Sequence, residues 1–132
     1  MLNGLNHITI AVNDVSRSFI FYSKTLGFTP KARWSRGAYL FLGNLWLCLS
    51  ADSVDRREDY THYAFSIRSE DFDVFVNHLK SSGVTEWKTN QSEGKSFYFL
   101  DPDGHKLEVH AGDLNSRLNA CMQHPYKNME FF

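Results

Sequence analysis

Residues 7–28, HITIAVNDVSRSFIFYSKTLGF, and residues 62–84, HYAFSIRSEDFDVFVNHLKSSGV, are two copies of one pattern. Each opens on a histidine and a short alternating stretch, 7–12 and 62–67, the period of a half-buried strand. A polar residue suited to capping a helix follows, Asp14 in the first copy and Ser69 in the second. Val15, Phe19, Tyr22 and Leu26 then recur at helical spacing, as do Phe72, Phe75, Val76 and Leu79. Gly27 and Gly83 supply the left-handed residue that stops each helix. Downstream, AYLFLGNLWLCLS (38–50) folds back at Gly43-Asn44, and SFYFLDPDGHKLEVH (96–110) turns at DPDG. Each half therefore reads as strand, helix and about three strands. The fold class is α+β: paired βαβββ modules whose two curved sheets close around a cleft. Module one covers about 1–50, a polar linker about 51–61, and module two about 62–112. The C-terminal segment, 113–132, holds a short helix over 113–122 and then an irregular stretch with Pro125.

The chain has 132 residues, one domain's worth or two small modules sharing a core. Hydrophobic residues make up 42% and aromatics 15%, ample for a packed interior. Fourteen basic against 15 acidic side chains leave a net charge of −1, with no electrostatic footprint for nucleic acid or an anionic membrane. No stretch reaches the ~18 apolar residues of a membrane span, and MLNGLNHITIAV lacks the basic start and apolar run of a secretion signal. Two cysteines, Cys48 and Cys121, make no disulfide framework. These features predict a cytoplasmic protein.

The repeat makes His7 and His62 equivalent, so module symmetry is expected to bring them together. A third ligand should come from a late strand. In KLEVH, Lys106, Glu108 and His110 share one face because strand side chains alternate. Spacing alone leaves Glu108 and His110 both open. Two imidazoles and a carboxylate leave metal positions free for substrate, a set that suits iron, manganese or zinc. An isolated histidine would be read as an ordinary hydrogen-bonded or surface residue; the matched pair is what gives these two weight.

GLNHITIAV, GAYLFLGNLWLCLS, DYTHYAFSI and SEGKSFYFLDPDGHKLEVH resemble the fosfomycin-resistance glutathione transferases of the vicinal oxygen chelate superfamily, which has a glyoxalase-like fold. The resemblance spans nearly the whole chain, with a shorter linker near 51–59. DYTHYAF and SEGxSFYFLDPDGHKLE are its specific signals. It implies a transferase that adds glutathione to the epoxide carbon of fosfomycin, with His7, His62 and Glu108 as metal ligands, manganese(II) as the metal and potassium as an activating ion. It further implies a homodimer with exchanged modules, one site taking His7 from one subunit and His62 with Glu108 from the other. By the same resemblance Thr9 bonds the epoxide or phosphonate oxygen and Tyr39 contacts the glutathione sulfur. Lys88, Ser92, Tyr98 and Arg117 form the phosphonate-binding set. Trp46 and Tyr60 either wall the cleft or serve as ordinary core, and Cys48 either lines it or, as a lone buried thiol, simply packs. Asn90, Ser92, Gly94 and Ser96 form a potassium loop. Gln91 departs from the basic residue common in relatives, which puts one glutathione carboxylate contact in doubt.

Four other readings compete. An epoxide hydrolase relative needs a carboxylate base, but SRGAYL has Gly37 and no acid from 35 to 42. A glutamate placed at Gly37 would give water a base for at most weak hydrolysis, against the glycine's own value for backbone shape. A bacillithiol transferase would perform the same ring opening with another thiol. An antibiotic-sequestering protein of the same fold would need no metal triad. An extradiol dioxygenase would use the same ligands with iron and leave the phosphonate set without a purpose.

Overall fold

The computed structural model describes residues 1–132. The chain divides into two compact units, Met1–Tyr60 with Asp101–His105, and Thr61–Leu100 with Lys106–Phe132.

In the first unit the order is β1 (His7–Val12), α1 (Val15–Ile20), a π-helical turn Phe21–Thr25, β2 (Thr29–Trp34), β3 (Gly37–Leu42) and β4 (Leu45–Ala51). The sheet runs β1-β4-β3-β2, with β1 parallel to β4 and the other neighbours antiparallel. Asp14 starts the helix as expected: its carboxylate accepts the Arg17 N–H at 3.0 Å. Gly43, at φ 56, makes the β3–β4 turn in a conformation that favours glycine. Alternation then sorts the two sheet faces. Ile10, Val12, Ala38, Leu40, Leu47 and Leu49 are buried, and α1 packs on β3 and β4. Each large aliphatic side chain so removed from water contributes roughly 1.5–3 kcal/mol. The opposite face carries His7, Thr9, Tyr39, Phe41, Trp46 and Cys48, in register across three strands: His7 opposite Trp46 opposite Phe41, and Thr9 opposite Cys48 opposite Tyr39.

The DPDGH turn belongs to this first unit, not to the unit that holds the strands on either side of it. Two buried carboxylates fix it there. Asp101 accepts the backbone N–H groups of Asp103 and His105, both at 2.9 Å, and the Tyr22 hydroxyl at 2.8 Å. Asp103 accepts from the Arg17 guanidinium at 2.7 Å, the Ser18 hydroxyl at 3.3 Å and the Asn13 N–H. The His105 ring donates to the Ala11 carbonyl at 2.7 Å. Because the Asp103 side chain is fully buried while Arg17 is 50% exposed, deleting the carboxylate strands Ser18 and Asn13 but leaves Arg17 in water. Asp103→Ala is expected to cost roughly 2–3 kcal/mol, below the range for a fully buried pair; a urea midpoint unchanged from wild type would refute this.

Burial pushes the Asp101 carboxyl above the ordinary carboxylate value, with His105 and the Tyr22 hydroxyl acting in the opposite sense. The folded state therefore binds this proton more tightly than the unfolded chain does. Stability from this group is present below the unfolded value and declines as pH rises through the folded one. Asp101→Asn should remove that decline. Thermal midpoints compared across the weakly acidic range would show it as a smaller fall with rising pH in the variant.

The second unit repeats the plan: β5 (Tyr63–Ser66), α2 (Ser69–Ser81), β6 (Glu86–Lys88), β7 (Lys95–Leu100), β8 (Lys106–Ala111) and α3 (Leu114–Gln123). Its sheet runs β5-β8-β7-β6, with β5 parallel to β8. Phe97, Phe99, Leu107 and Val109 form the buried face with Phe72, Val76 and Leu79 of α2. Ser69 is not the cap of α2. It is the first helical residue, Arg68 holds the cap position, and no side chain caps the turn. Glu70 and Asp71 instead place negative charge in the first turn, where the helix dipole favours it, and Arg68 pairs with both. Gly83, at φ 80, follows the helix as expected. A reciprocal Asp113–Ser116 capping box starts α3. No helix is long and apolar enough to cross a membrane.

Candidate active site

Register in the second sheet gathers the chemistry-bearing residues. Lys88 lies opposite Tyr98, Tyr98 opposite Glu108, and Glu108 opposite Ala64, one row across four strands. Ser96, His110 and Ser66 make the next row. Side chains along such rows share a face. Glu108 sits in the middle with only 9% of its side chain exposed, and both its oxygens are engaged. His62 Nε2 donates to Oε2 at 2.9 Å, and the Ser96 hydroxyl donates to Oε1 at 2.6 Å. Ser96 Oγ is also 2.6 Å from His110 Nδ1.

Aromatic rings wall this pair. Trp87 lies 5.5 Å from His62 and 5.2 Å from Tyr98, centroid to centroid, and Tyr98 lies 6.0 Å from His62. The Trp87 indole N–H donates to the Leu107 carbonyl at 3.0 Å, which fixes its plane. Lys88 Nζ stands 4.9 Å over the Tyr98 ring, a cation–π contact that carries its charge to the edge of the site.

A cavity of about 450 Å³ has Lys88, Gln91, Ser92, Glu93, Arg117 and Tyr126 among its lining residues. Arg117 projects from α3 and is tied to Glu93 at 3.1 Å, with the Ser92 hydroxyl within 3.4 Å. The bond to Glu93, helped by Tyr126, raises the guanidinium pKa still further. The 90–94 loop closes on itself: the Asn90 amide donates to the Gly94 carbonyl at 2.8 Å, and Ser92 donates from both its N–H and its hydroxyl to Asn90 Oδ1. The Ser96 hydroxyl is turned away from that loop, toward Glu108 and His110.

The remaining expected residues belong to the first unit. His7 begins β1, its ring 4.6 Å from Trp46 and its Nδ1 2.7 Å from Asn6 Oδ1. Tyr39 is 38% exposed and stacks edge-on against Trp34 and Trp46. Thr9 and Cys48 share its cross-strand row. Tyr60 ends the unit and is exposed. The structure thus gathers His62, Glu108, Lys88, Tyr98, Ser92 and Arg117 in one unit, and His7, Thr9, Tyr39 and Trp46 in the other. No three His, Cys, Asp or Glu side chains of the single chain gather as a metal site.

A family model for the Glyoxalase/Bleomycin resistance protein/Dioxygenase superfamily matches residues 4–109. "Glutathione transferase FosA" of Serratia marcescens is 53% identical over 99% of this chain and 96% of its own length. This chain belongs to that superfamily, among its FosA-type fosfomycin resistance proteins. "Metallothiol transferase FosB" of Shouchella clausii is 39% identical over 89% of the chain and 86% of its own length. Among solved structures, the fosfomycin resistance protein FosX of Listeria monocytogenes superposes with a TM-score of 0.82 at 31% identity, covering 91% of this chain and 99% of that one. A variant of that FosX was solved with manganese(II) and a dihydroxypropylphosphonic acid.

Gly37 opens β3 in close packing. A Cβ built there would lie 2.6 Å from the Trp34 ring and 2.7 Å from the Leu49 carbonyl. The position therefore has no room for any side chain, and the expectation that a glutamate there would supply a base to water is corrected: Gly37→Glu should destabilise by roughly 1–3 kcal/mol through overpacking. A variant with an unshifted melting temperature would refute that. Several members of the site escape a reading of the sequence. Trp87 looks like an ordinary strand aromatic, and Glu93 like part of a polar turn. His124 and Tyr126 lie in an irregular tail. SEGKS offers the one signal, an acid beside a loop already suspected of binding an ion.

Proposed function

We propose that this protein is a metal-dependent transferase that inactivates fosfomycin by adding glutathione to its epoxide carbon. The observation that carries the reading is a contact chain within one unit. Lys88 leads from the cationic cavity through Tyr98 to the His62–Glu108 pair. Fosfomycin presents an anionic phosphonate and an epoxide side by side. A cavity with Lys88, Ser92 and Arg117 suits the first, and a nitrogen–oxygen ligand pair suits a metal that acts on the second. The 53% identity to a glutathione transferase supports the same conclusion.

His62 Nε2 and Glu108 Oε2 converge at 2.9 Å, mostly buried, with a donor set that fits manganese(II) or a similar divalent ion. We assign the third ligand to His7 of the partner subunit in a homodimer with exchanged modules. Exposed Trp34, Tyr39 and Phe41 on the first unit's sheet suit cover by a second subunit. Such an ion, when bound, supplies Lewis acidity to the epoxide oxygen. The chain's residues do the rest. Lys88, Ser92 and Arg117 hold the phosphonate, Thr9 orients an oxygen of the drug, and Tyr39 faces the thiol. Trp46 and Tyr60 wall the thiol side. Asn90, Ser92 and Gly94 offer oxygens to potassium, while Ser96, the fourth residue of the expected loop, turns its hydroxyl to Glu108 and His110. A free thiol has a pKa of about 8.5, so a hydroxyl bonded to the sulfur helps hold the thiolate at neutral pH.

Mass analysis of fosfomycin incubated with protein, manganese and glutathione tests the proposal. Drug plus glutathione supports it. Rapid metal-dependent diol formation without thiol would overturn it, and tight drug binding without turnover would point to a sequestering protein. The metallothiol transferases among the relatives make a second thiol worth running beside glutathione. A faster reaction with bacillithiol would reassign the co-substrate and leave the ring opening intact.

A further inference from the structure

We propose that His110 is a positioning residue for Glu108, acting through the hydroxyl of Ser96. It is two residues beyond Glu108 on the same face of β8, and its Nδ1 lies 3.6 Å from Glu108 Oε1, outside hydrogen-bond reach. Between them Ser96 Oγ is 2.6 Å from each. The hydrogens of this trio can be assigned. A carboxylate only accepts, so the single Ser96 proton goes to Glu108 Oε1. Ser96 Oγ must then accept at its other contact, and His110 Nδ1 bears the hydrogen that it donates. The relay runs His110 to Ser96 to Glu108, and it ends on Oε1, leaving Oε2 for the side shared with His62.

The histidine ring packs against two glycines, whose missing side chains make the room it occupies. A Cβ at Gly112 would lie 2.7 Å from His110 Nε2, and one at Gly94 would lie 3.0 Å from the ring carbon Cε1. The second glycine ties the 90–94 loop, through the ring, to the carboxylate's orientation. A metal-ligating carboxylate held in this way loses one rotational freedom, and outer partners of this kind are typically worth 10–100-fold in metal affinity.

The inference rests on the reading of Glu108 as a metal ligand, and the test separates the two. Manganese(II) is titrated into the dimeric protein at fixed potassium, with free ion read by electron paramagnetic resonance and the metal-free melting point recorded. His110→Ala should weaken manganese about 10–100-fold. His110→Asn should recover most of that loss, because its amide nitrogen can take the place of Nδ1; His110→Gln, whose nitrogen falls nearer the place of Nε2, should not. Ser96→Ala should match His110→Ala, and the double variant should be no weaker than either single one. Equal weakening in the Ala, Asn and Gln variants would mean the ring merely fills the space between the glycines, and the proposal fails. Wild-type affinity in His110→Ala, with Glu108→Ala impaired, would also overturn it while leaving the metal reading intact. Wild-type affinity in Glu108→Ala would overturn both. If His110→Ala does not fold, Ser96→Ala alone decides, and an unchanged affinity there sinks the relay.

Discussion

Glu108→Ala should abolish tight manganese binding and slow glutathione addition to fosfomycin by about a thousandfold. The side chain is almost wholly buried and serves His62 and Ser96 at once, so its loss removes the one carboxylate that both donate to. Lewis-acid stabilisation of a developing alkoxide is worth several kcal/mol, and each ~1.4 kcal/mol is a factor of ten. Glu108→Gln separates packing from charge: it keeps the shape, loses the anion and should remain folded while binding manganese poorly. Calorimetric titration with manganese and a single-turnover assay check this. Stoichiometric binding by Glu108→Ala at low micromolar metal, with normal turnover, would remove Glu108 from the site.

Mixing two inactive proteins, His7→Ala and His62→Ala, should restore activity. With exchanged modules, a heterodimer places both substitutions in one of its sites and leaves the other intact. Random reassortment makes half of the dimers heterodimers, each with one good site of two, so recovery should approach about a quarter of wild type. The two side chains differ in setting. His7 lies at the exposed start of β1, so its loss opens no core, whereas His62 is mostly buried beside Glu108, Trp87 and Tyr98, and the melting point of His62→Ala is recorded first. Heterodimers verified by native mass spectrometry yet fully inactive would place each site within one chain.

The parts of this fold legible in the sequence are those whose signals are local. Asp14 caps, Gly27 and Gly83 stop helices, and Gly43 turns a hairpin, each through its own backbone chemistry or a neighbour three residues away. Alternation leaves Glu108 and His110 level, since both face the same side of β8; what the fold adds is the contact of Glu108 with His62, 46 positions away, and the bridge of Ser96 to both, reached only through the β7–β8 register. Trp87 and Glu93 stayed hidden for the same reason. Their roles lie in contacts with His62, Tyr98 and Arg117, which no spacing encodes. At Gly37 the sequence shows a missing acid, whereas the closed space depends on where the Trp34 ring lies. Ser69 misled because a favourable cap residue and a favourable first-turn residue look alike until the backbone shows where the helix begins.

The seat of the DPDGH turn sets a timetable for the protein's birth. The first unit's own run of chain ends at Tyr60, but the segment that completes it begins at Asp101. At roughly 5–20 residues per second, a translating ribosome delivers the last piece several seconds after the rest. Through that interval the Tyr22 hydroxyl, the Ser18 hydroxyl and the Asn13 N–H have no carboxylate to meet. The amino-terminal half therefore cannot finish folding as it emerges. It waits, with a polar socket open, for a plug made late in the message. A gene cut after the codon for Tyr60 would encode a sheet and helix without their clasp, so the two halves, alike in strand order, are not interchangeable as building blocks.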